Sequence, residues 1–270
     1  MTTKVLQILL DGCRPDALQQ AKTPNIDRLW QSGAYTWTAR TVMPSVTLPS
    51  HNSMFRSVPP QKHGVGADNI FRESARAFPS LIDMAALGNK HTCMFYSWEQ
   101  LRDLSNPGSL KVSYCRNADY GLDNDTGVAK LAADYLVIEK PDYCFLYLGD
   151  IDINGHLFGW MSAEQIASIE TNDSAVGIVL DRLEAAGIRD QYTIQVQADH
   201  GGHNTDHGTE MPEDMTIPWL INGAAIKQGY PIQSPVSILD TAVTLAHLMG
   251  LEIPALWEGK VVQDALVYKN

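Results

Sequence analysis

Apolar runs of strand length alternate along this chain with stretches of helical period. Lys4 to Leu10 reads as a buried strand that stops at Asp11-Gly12. Thr92 to Tyr96, Tyr143 to Leu148 and Tyr192 to Ala198 read the same way, and Trp219 to Ile221 is a shorter strand. Helical patterns fall between them, over Asn25 to Gln31, Ser80 to Leu87, Thr126 to Ile138, Ser162 to Ala186 and Ile238 to Met249. Alternation of this kind predicts an α/β protein: a single-domain three-layer sandwich, its mostly parallel central sheet covered by helices on both faces. The longest helix carries its own start signal, a capping box of Ser162 and Gln165. Ile166, Ile169, Val176, Val179, Leu180 and Leu183 mark its buried face, and Gly187 closes it.

No internal repeat, low-complexity tract or Pro/Ser-rich linker divides the chain, so one domain over 1–270 is expected. Asp68 to Asn124 is less regular and richer in charge, with room for a small excursion but not for a large cap. Composition narrows the class. With 44% hydrophobic and 19% charged residues, the chain is neither disordered nor a disulfide scaffold. A formal charge of −11 argues against a nucleic-acid polymer as partner, because phosphate binding needs clustered Lys and Arg. No run approaches the ~20 apolar residues of a membrane span. Cys13, Cys93, Cys115 and Cys144 form no CxxC pair, and Val5 to Leu10 is too short for a secretory core. The expectation is a cytoplasmic protein acting on a small molecule, with no membrane contact.

Three of the strands run into acidic or histidine clusters: Asp11-Gly12, then Asp150-Ile151-Asp152 with Gly155-His156, then Asp199-His200-Gly201. Ligands of open α/β sheets bind at the carboxyl ends of strands, so Asp11, Asp152 and Asp199 are expected on one edge. Three carboxylates together repel unless a cation sits among them. His and Asp ligands without Cys suit zinc, or another transition metal such as Mn2+, better than calcium or magnesium. Asp11, Asp152, Asp199, His156, His200 and one histidine from the run His203 to His207 make six ligands, enough for two zinc ions with an open position on each. Two such ions exceed the aspartate charge, and the surplus favours an anionic, phosphate-like substrate.

Pro44 to Asn52 is a turn entering a helix, with Pro49 expected at the first helical position and Thr47 just before it. Two readings of Thr47 stand side by side. It is a helix cap, or it is a nucleophile whose alkoxide is favoured by the helix dipole and an adjacent metal.

The ordered set of motifs resembles the alkaline phosphatase superfamily, in particular its nucleotide pyrophosphatase/phosphodiesterase branch. Asp11-Gly12, Pro44 to Gly64, Asp152-x-x-Gly155-His156-x-x-Gly159, Ala198-Asp199-His200-Gly201 and His207-Gly208 each match a family block. So, in outline, does the tail from Pro235 to Gly259. The resemblance implies Thr47 as nucleophile, one zinc held by Asp152, His156 and His207, and the other by Asp11, Asp199, His200 and Thr47. It implies Asn69 as a substrate-binding residue that donates to a phosphoryl oxygen. It implies a type I phosphodiesterase working through a phosphothreonine. A phosphonoacetate-type C–P hydrolase and a phosphomonoesterase of the same superfamily are the alternatives, and a non-catalytic metal-binding module is the alternative of another class. A sulfatase is disfavoured, because Thr47-Leu48-Pro49-Ser50-His51 lacks the convertible Cys or Ser and the arginine of that family. Ser50 and Arg56-Ser57 depart from the phosphodiesterase pattern. Asp150 and His203 are runner-up ligands or partners of ligands, and Asp206 either orients His207 or caps its loop. Asp173 is expected to make a buried polar contact. Phe158 and Trp160 are either core or a surface on which a flat group stacks.

Overall fold

The computed structural model describes residues 3–116 and 124–267. Its sheet has eight strands: β1 Lys4–Leu10, β2 Ala34–Arg40, β3 Thr92–Tyr96, β4 Val112–Cys115, β5 Tyr143–Leu148, β6 Tyr192–Gln197, β7 Thr216–Asn222 and β8 Tyr230–Pro231. They lie in the order β4-β3-β5-β1-β6-β7-β2-β8. The centre is parallel: β5, β1 and β6 are neighbours, with Leu10 opposite Leu148 and Leu9 opposite Gln197. Their carboxyl ends are therefore level, and whatever follows each strand meets the others. β7 runs antiparallel to β6, and β2 antiparallel to β7. Two reversals restore the direction, so β2 also delivers its chain to the edge where β5, β1 and β6 end.

Helices pack in two groups on the faces of this sheet. Asn124–Glu139, Asp150–Phe158, Pro24–Gln31 and Pro15–Gln20 all contact the long helix Ala163–Ala185. On the other side Thr47–Arg56, Leu81–Leu87 and Asp240–Met249 pack together. Every residue of β5 is buried, as a strand covered on both faces requires. The strands missed in the sequence are those without such a run. β2 is half-buried, and most of β4 lies exposed at the sheet edge.

Local signals hold with two amendments. Ser162 Oγ accepts the N–H of Gln165, but the Gln165 side chain accepts from Met161 rather than from the cap residue. Half of the capping box is thus displaced by one residue. The second amendment concerns Pro49. The helix begins at Thr47, not at Pro49, and its cap residue is Val46. Proline is tolerated there because the first-turn N–H groups of a helix have no intrahelical partner to lose. Asp173 does make its buried contact, accepting the N–H groups of Asn25 (3.1 Å) and Ile26 (2.8 Å) at the start of helix Pro24–Gln31.

The helix Thr47–Arg56 is fixed unusually firmly, since all ten of its residues are buried. Beneath it, Gln7 and Gln197 direct their amide N–H groups at Met54 Sδ, at 3.2 and 2.9 Å. At its far end the buried Arg56 guanidinium reaches Asn52 Oδ1 (3.0 Å), Phe78 O (2.6 Å) and Leu104 O (3.1 Å), tying down the irregular excursion. His63 braces the same helix. Its Nδ1 accepts the N–H of Val65 at 3.1 Å, so Nε2 carries the proton and donates to Ser53 Oγ at 3.0 Å.

Both nitrogens of neutral His63 are thereby satisfied. Burial, with Arg56 nearby, moves the ring from 6.5 to about 4. A lowered folded value means stability present above pH 6.5 and lost as pH falls through about 4. The linked loss is about 3 kcal/mol. Urea unfolding at pH 7 and pH 4 checks it: the stability lost between them should shrink by about that amount in His63→Gln. An equal loss in both proteins would mean that His63 is not the group responsible.

Candidate active site

Each central strand supplies one acid. Asp11 follows β1 directly. After β5 the chain turns at Gly149 into the helix Asp150–Phe158, which was not foreseen. That helix explains the spacing of the second motif. Asp152 and His156 are one turn apart and therefore on one face. Gly155 lies between them because Trp160 packs against it, and a Cβ there would sit 2.8 Å from the indole. The same indole abuts Gly202, donates its N–H to Gly12 O at 2.7 Å and stands edge-on to His156 and His207. Trp160 is thus a buried wedge beneath the two histidines. Phe158 is exposed. After β6 come Asp199 and His200, and the loop toward β7 brings back His207.

These side chains converge. His156 Nε2 lies 3.2 Å from His207 Nε2 and 3.4 Å from Asp152 Oδ2, and His207 Nε2 lies 3.6 Å from Asp152 Oδ1. His200 Nε2 lies 3.3 Å from Asp11 Oδ1 and 3.5 Å from Asp199 Oδ2. Its ring stacks on His207 with centroids 3.9 Å apart, so it adjoins both groups. The ligand atoms of Asp11, Asp199 and His200 form one metal-sized set, and those of Asp152, His200 and His207 another. Thr47, the first residue of its helix, places Oγ1 3.1 Å from His200 Nε2.

The orientation of each group suits a cation. All three histidines turn Nδ1 toward a backbone carbonyl: His156 to Thr205 (2.9 Å), His200 to Gly201 (2.8 Å) and His207 to Ser45 (3.0 Å). Such bonds place the proton on Nδ1 and leave the Nε2 lone pair for a metal. Asp199 Oδ1 accepts the N–H groups of Gly12 and His200, and Asp11 Oδ2 accepts the Tyr147 hydroxyl. Asp11 Oδ1, Asp199 Oδ2 and Asp152 Oδ1 are buried without a hydrogen-bond partner. Buried oxygens of this kind are costly unless something charged meets them.

The titration of the cluster carries the same strain. Burial, with Asp199 and Asp152 close by, raises the Asp11 carboxyl well above the usual range. Burial also raises Asp152, against the pull of His200 and His156. For Asp199 burial acts upward too, but His200 and His51 outweigh it and hold this carboxyl below the usual range. Burial and the neighbouring His200 lower His207 to about 3, so it is a neutral donor at physiological pH. Nitrogen and oxygen donors without sulfur, with three orphaned carboxylate oxygens, fit divalent cations. A cavity of about 630 Å³ opens at the cluster, lined by Asp11, Thr47, Asp152, His156 and His207 together with Asn69, Ser97, Trp98 and Glu99.

Comparison with known proteins agrees. The profile of the family described as type I phosphodiesterase / nucleotide pyrophosphatase matches residues 5–216. The chain belongs to this family. It is 25% identical over 222 residues to ectonucleotide pyrophosphatase/phosphodiesterase family member 3 of Mus musculus, which covers 74% of this chain and 25% of that protein. It is 25% identical over 210 residues to a venom phosphodiesterase of Macrovipera lebetinus, covering 71% and 25%. The chain thus spans about a quarter of the length of these curated relatives. An inactive form of murine ectonucleotide pyrophosphatase/phosphodiesterase 5 in complex with AMP has the same fold, with a TM-score of 0.81 at 14% identity over 98% of this chain and 100% of that one. A 2-O GAG sulfatase shares the fold at a TM-score of 0.78 and 16% identity, over 97% and 73%.

Within this type I phosphodiesterase / nucleotide pyrophosphatase frame, the remaining residues fall into place by contact. Asn69 lines the cavity, and its Oδ1 accepts the Leu48 N–H at 2.9 Å, a bond that does not use its amide N–H pair. Ser50, one departure from the family pattern, accepts from Thr41, and Arg56 is the tie already described. His203 stands outside both ligand sets and pairs with Asp214 at 2.7 Å. Asp206 accepts the backbone N–H of His207, so it braces the loop, and the Ser45 carbonyl orients the imidazole. Asp150 also stands outside the sets, on the turn held by Asp125, which accepts the N–H groups of Gly149 and Asp150. Burial and Asp150 raise the Asp125 carboxyl to about 8.

Three contributors were not singled out from the sequence: Asp125, Tyr147 and His51. His51 is fully buried, with Nδ1 2.8 Å from Thr47 O and 3.3 Å from Asp199 Oδ2. The one signal for it was its place in the first turns after Thr47. Tyr147 reads as strand core, and Asp125 carries no signal at all.

Proposed function

We propose that this chain is a two-metal phosphodiesterase in which Thr47 is the nucleophile. The observation that carries the proposal is the position of Thr47 Oγ1, at the first residue of a buried helix and beside a histidine shared by both ligand sets. Asp152, His156 and His207 would hold one ion, and Asp11, Asp199, His200 and Thr47 the other. Zinc is the ion that the donor set suits best. When bound, the pair neutralises the phosphoryl oxygens and lowers the pKa of the coordinated hydroxyl.

The chain's own groups perform the remaining work. The His200 Nδ1 proton faces Gly201 O, so Thr47 is held with its oxygen at the Nε2 side of that ring. The helix start adds positive dipole at the attacking oxygen. The Asn69 amide, aimed by its bond to Leu48, donates to a phosphoryl oxygen. Thr47 Oγ, having lost its proton, forms a bond to phosphorus while the bond to the leaving alcohol breaks and that oxygen is protonated. Water then cleaves the phosphothreonine, releasing phosphate monoester and restoring the hydroxyl. A small ester, nucleotide-like or simpler, is the substrate proposed.

Zinc-loaded protein should hydrolyse bis(p-nitrophenyl) phosphate. Chelation should abolish turnover by about 10³-fold or more, with recovery on zinc addition. Acid quenching during turnover should trap a p-nitrophenylphosphoryl group on Thr47. Metal binding without turnover of any phosphate or phosphonate ester would mean a binding module instead.

A further inference from the structure

The cavity residues outside the candidate metal cluster form a wall with a charge pattern of its own. Among the described residues lining it there is no Lys or Arg, and the one charged side chain outside the proposed ligand set is Glu99, next to the Trp98 indole and Gln100. A second hollow adjoins the first, sharing Asn69, Glu99 and Gln100 and continuing to Arg102 and Asp103. Its lining cation, Arg102, is already occupied, and so is Arg76, which shares Asp103 with it. Arg102 is paired with Glu99 and with Asp103 (3.3 Å), and Arg76 with Asp103 (3.1 Å) and Glu73 (2.9 Å). The five residues form a chain, Glu99–Arg102–Asp103–Arg76–Glu73, that begins and ends on a carboxylate. Each guanidinium sits between two acids, and the net charge is negative.

We propose that Glu99 sets the charge preference for the arm of the substrate that lies along this wall: phosphodiesters with a cationic arm are favoured over neutral ones, and neutral over anionic. The inference rests on the phosphodiesterase reading. A second phosphoryl group, as in a polyphosphate, would meet Glu99 with no cation lining the cavity to receive it. An ammonium-bearing arm would meet both the carboxylate and an aromatic ring, a pairing that stabilises cations. The preference is electrostatic and partly solvated, so salt should weaken it.

The test uses three p-nitrophenyl phosphodiesters with one common leaving group and a second arm that is methyl, 2-(trimethylammonio)ethyl or 3-carboxypropyl. In zinc-loaded protein kcat/KM should follow cation, neutral, anion, with about tenfold between the extremes at low salt. Glu99→Gln should collapse that ratio, and Arg102→Gln, which unpairs Glu99, should widen it. Raising salt should narrow it in the native protein. Opposite movement by two neighbouring variants is something a general loss of structure cannot produce. Equal rates for the three esters in the native protein, or the same ratio in all three proteins, would overturn the proposal. If none of the esters is turned over with zinc present, the phosphodiesterase reading itself fails, which is a separate result.

Discussion

Thr47→Ala should lower kcat for a phosphodiester by about 10⁴-fold while changing substrate affinity little, as expected when a covalent nucleophile is lost and the binding groups stay. Thr47 is not the helix cap, and among the described residues its side chain makes a single hydrogen bond, to His200. Losing that bond costs about 1 kcal/mol, too little to unfold the helix. The substitution therefore separates chemistry from folding. Without metal, the melting temperature should stay near that of the native protein. Thr47→Ser keeps the hydroxyl but loses the γ-methyl that restricts χ1, so a smaller loss, about tenfold, is expected. Rapid-quench kinetics with zinc present would read both variants. A native rate from Thr47→Ala would remove Thr47 from the reaction and leave direct attack by water as the alternative.

The legible parts of this protein are the long apolar runs. β1, β3 and β5 have the limits expected from their sequences because strands buried on both faces read as continuous apolar runs, and in β1 the buried run stops at Asp11. Convergence of the acids followed from the parallel order, a property of the fold rather than of any one motif. What escaped notice was structure with a weak apolar signature. β2 has one face partly wet, and the helix Asp150–Phe158 hides behind Asp152, Asn154 and Gly155, residues that read as a turn. The supporting contacts escaped for a different reason. Tyr147 looks like any strand aromatic until its hydroxyl is seen against Asp11, and Asp125 meets Gly149 across 24 residues of chain. Spacing along a sequence records candidate ligands that share an element, such as Asp152 and His156. It does not record the hydrogen bonds that aim them.

Asp11→Asn should reverse the order of stability between the metal-free and zinc-bound proteins. Asp11, Asp152 and Asp199 meet in one buried cluster, and Asp11 is a member displaced upward, by burial and by the charges of the other two. A carboxyl whose folded pKa is raised contributes stability below its ordinary value near 3.8 and loses it as pH rises through the folded value. Above that ordinary value, without metal, the native protein is therefore destabilised by keeping Asp11 in the buried acidic cluster. Asparagine keeps the size, and its amide oxygen can still accept the Tyr147 hydroxyl, but the charge is gone. In chelator, Asp11→Asn should be more stable than the native protein by about 1 to 3 kcal/mol, the usual cost of a buried polar group left without its partner. The gain should vanish as pH approaches the ordinary carboxyl range. With zinc the sign changes. Ligand binding at 1,000 times its dissociation constant stabilises the native protein by about 4 kcal/mol, and the variant has lost one donor of the set around His200. Melting curves of both proteins, each with chelator and with zinc, should cross. If the variant were no more stable in chelator, the repulsion among the acids would be absent. If zinc stabilised both proteins equally, Asp11 would not be a ligand.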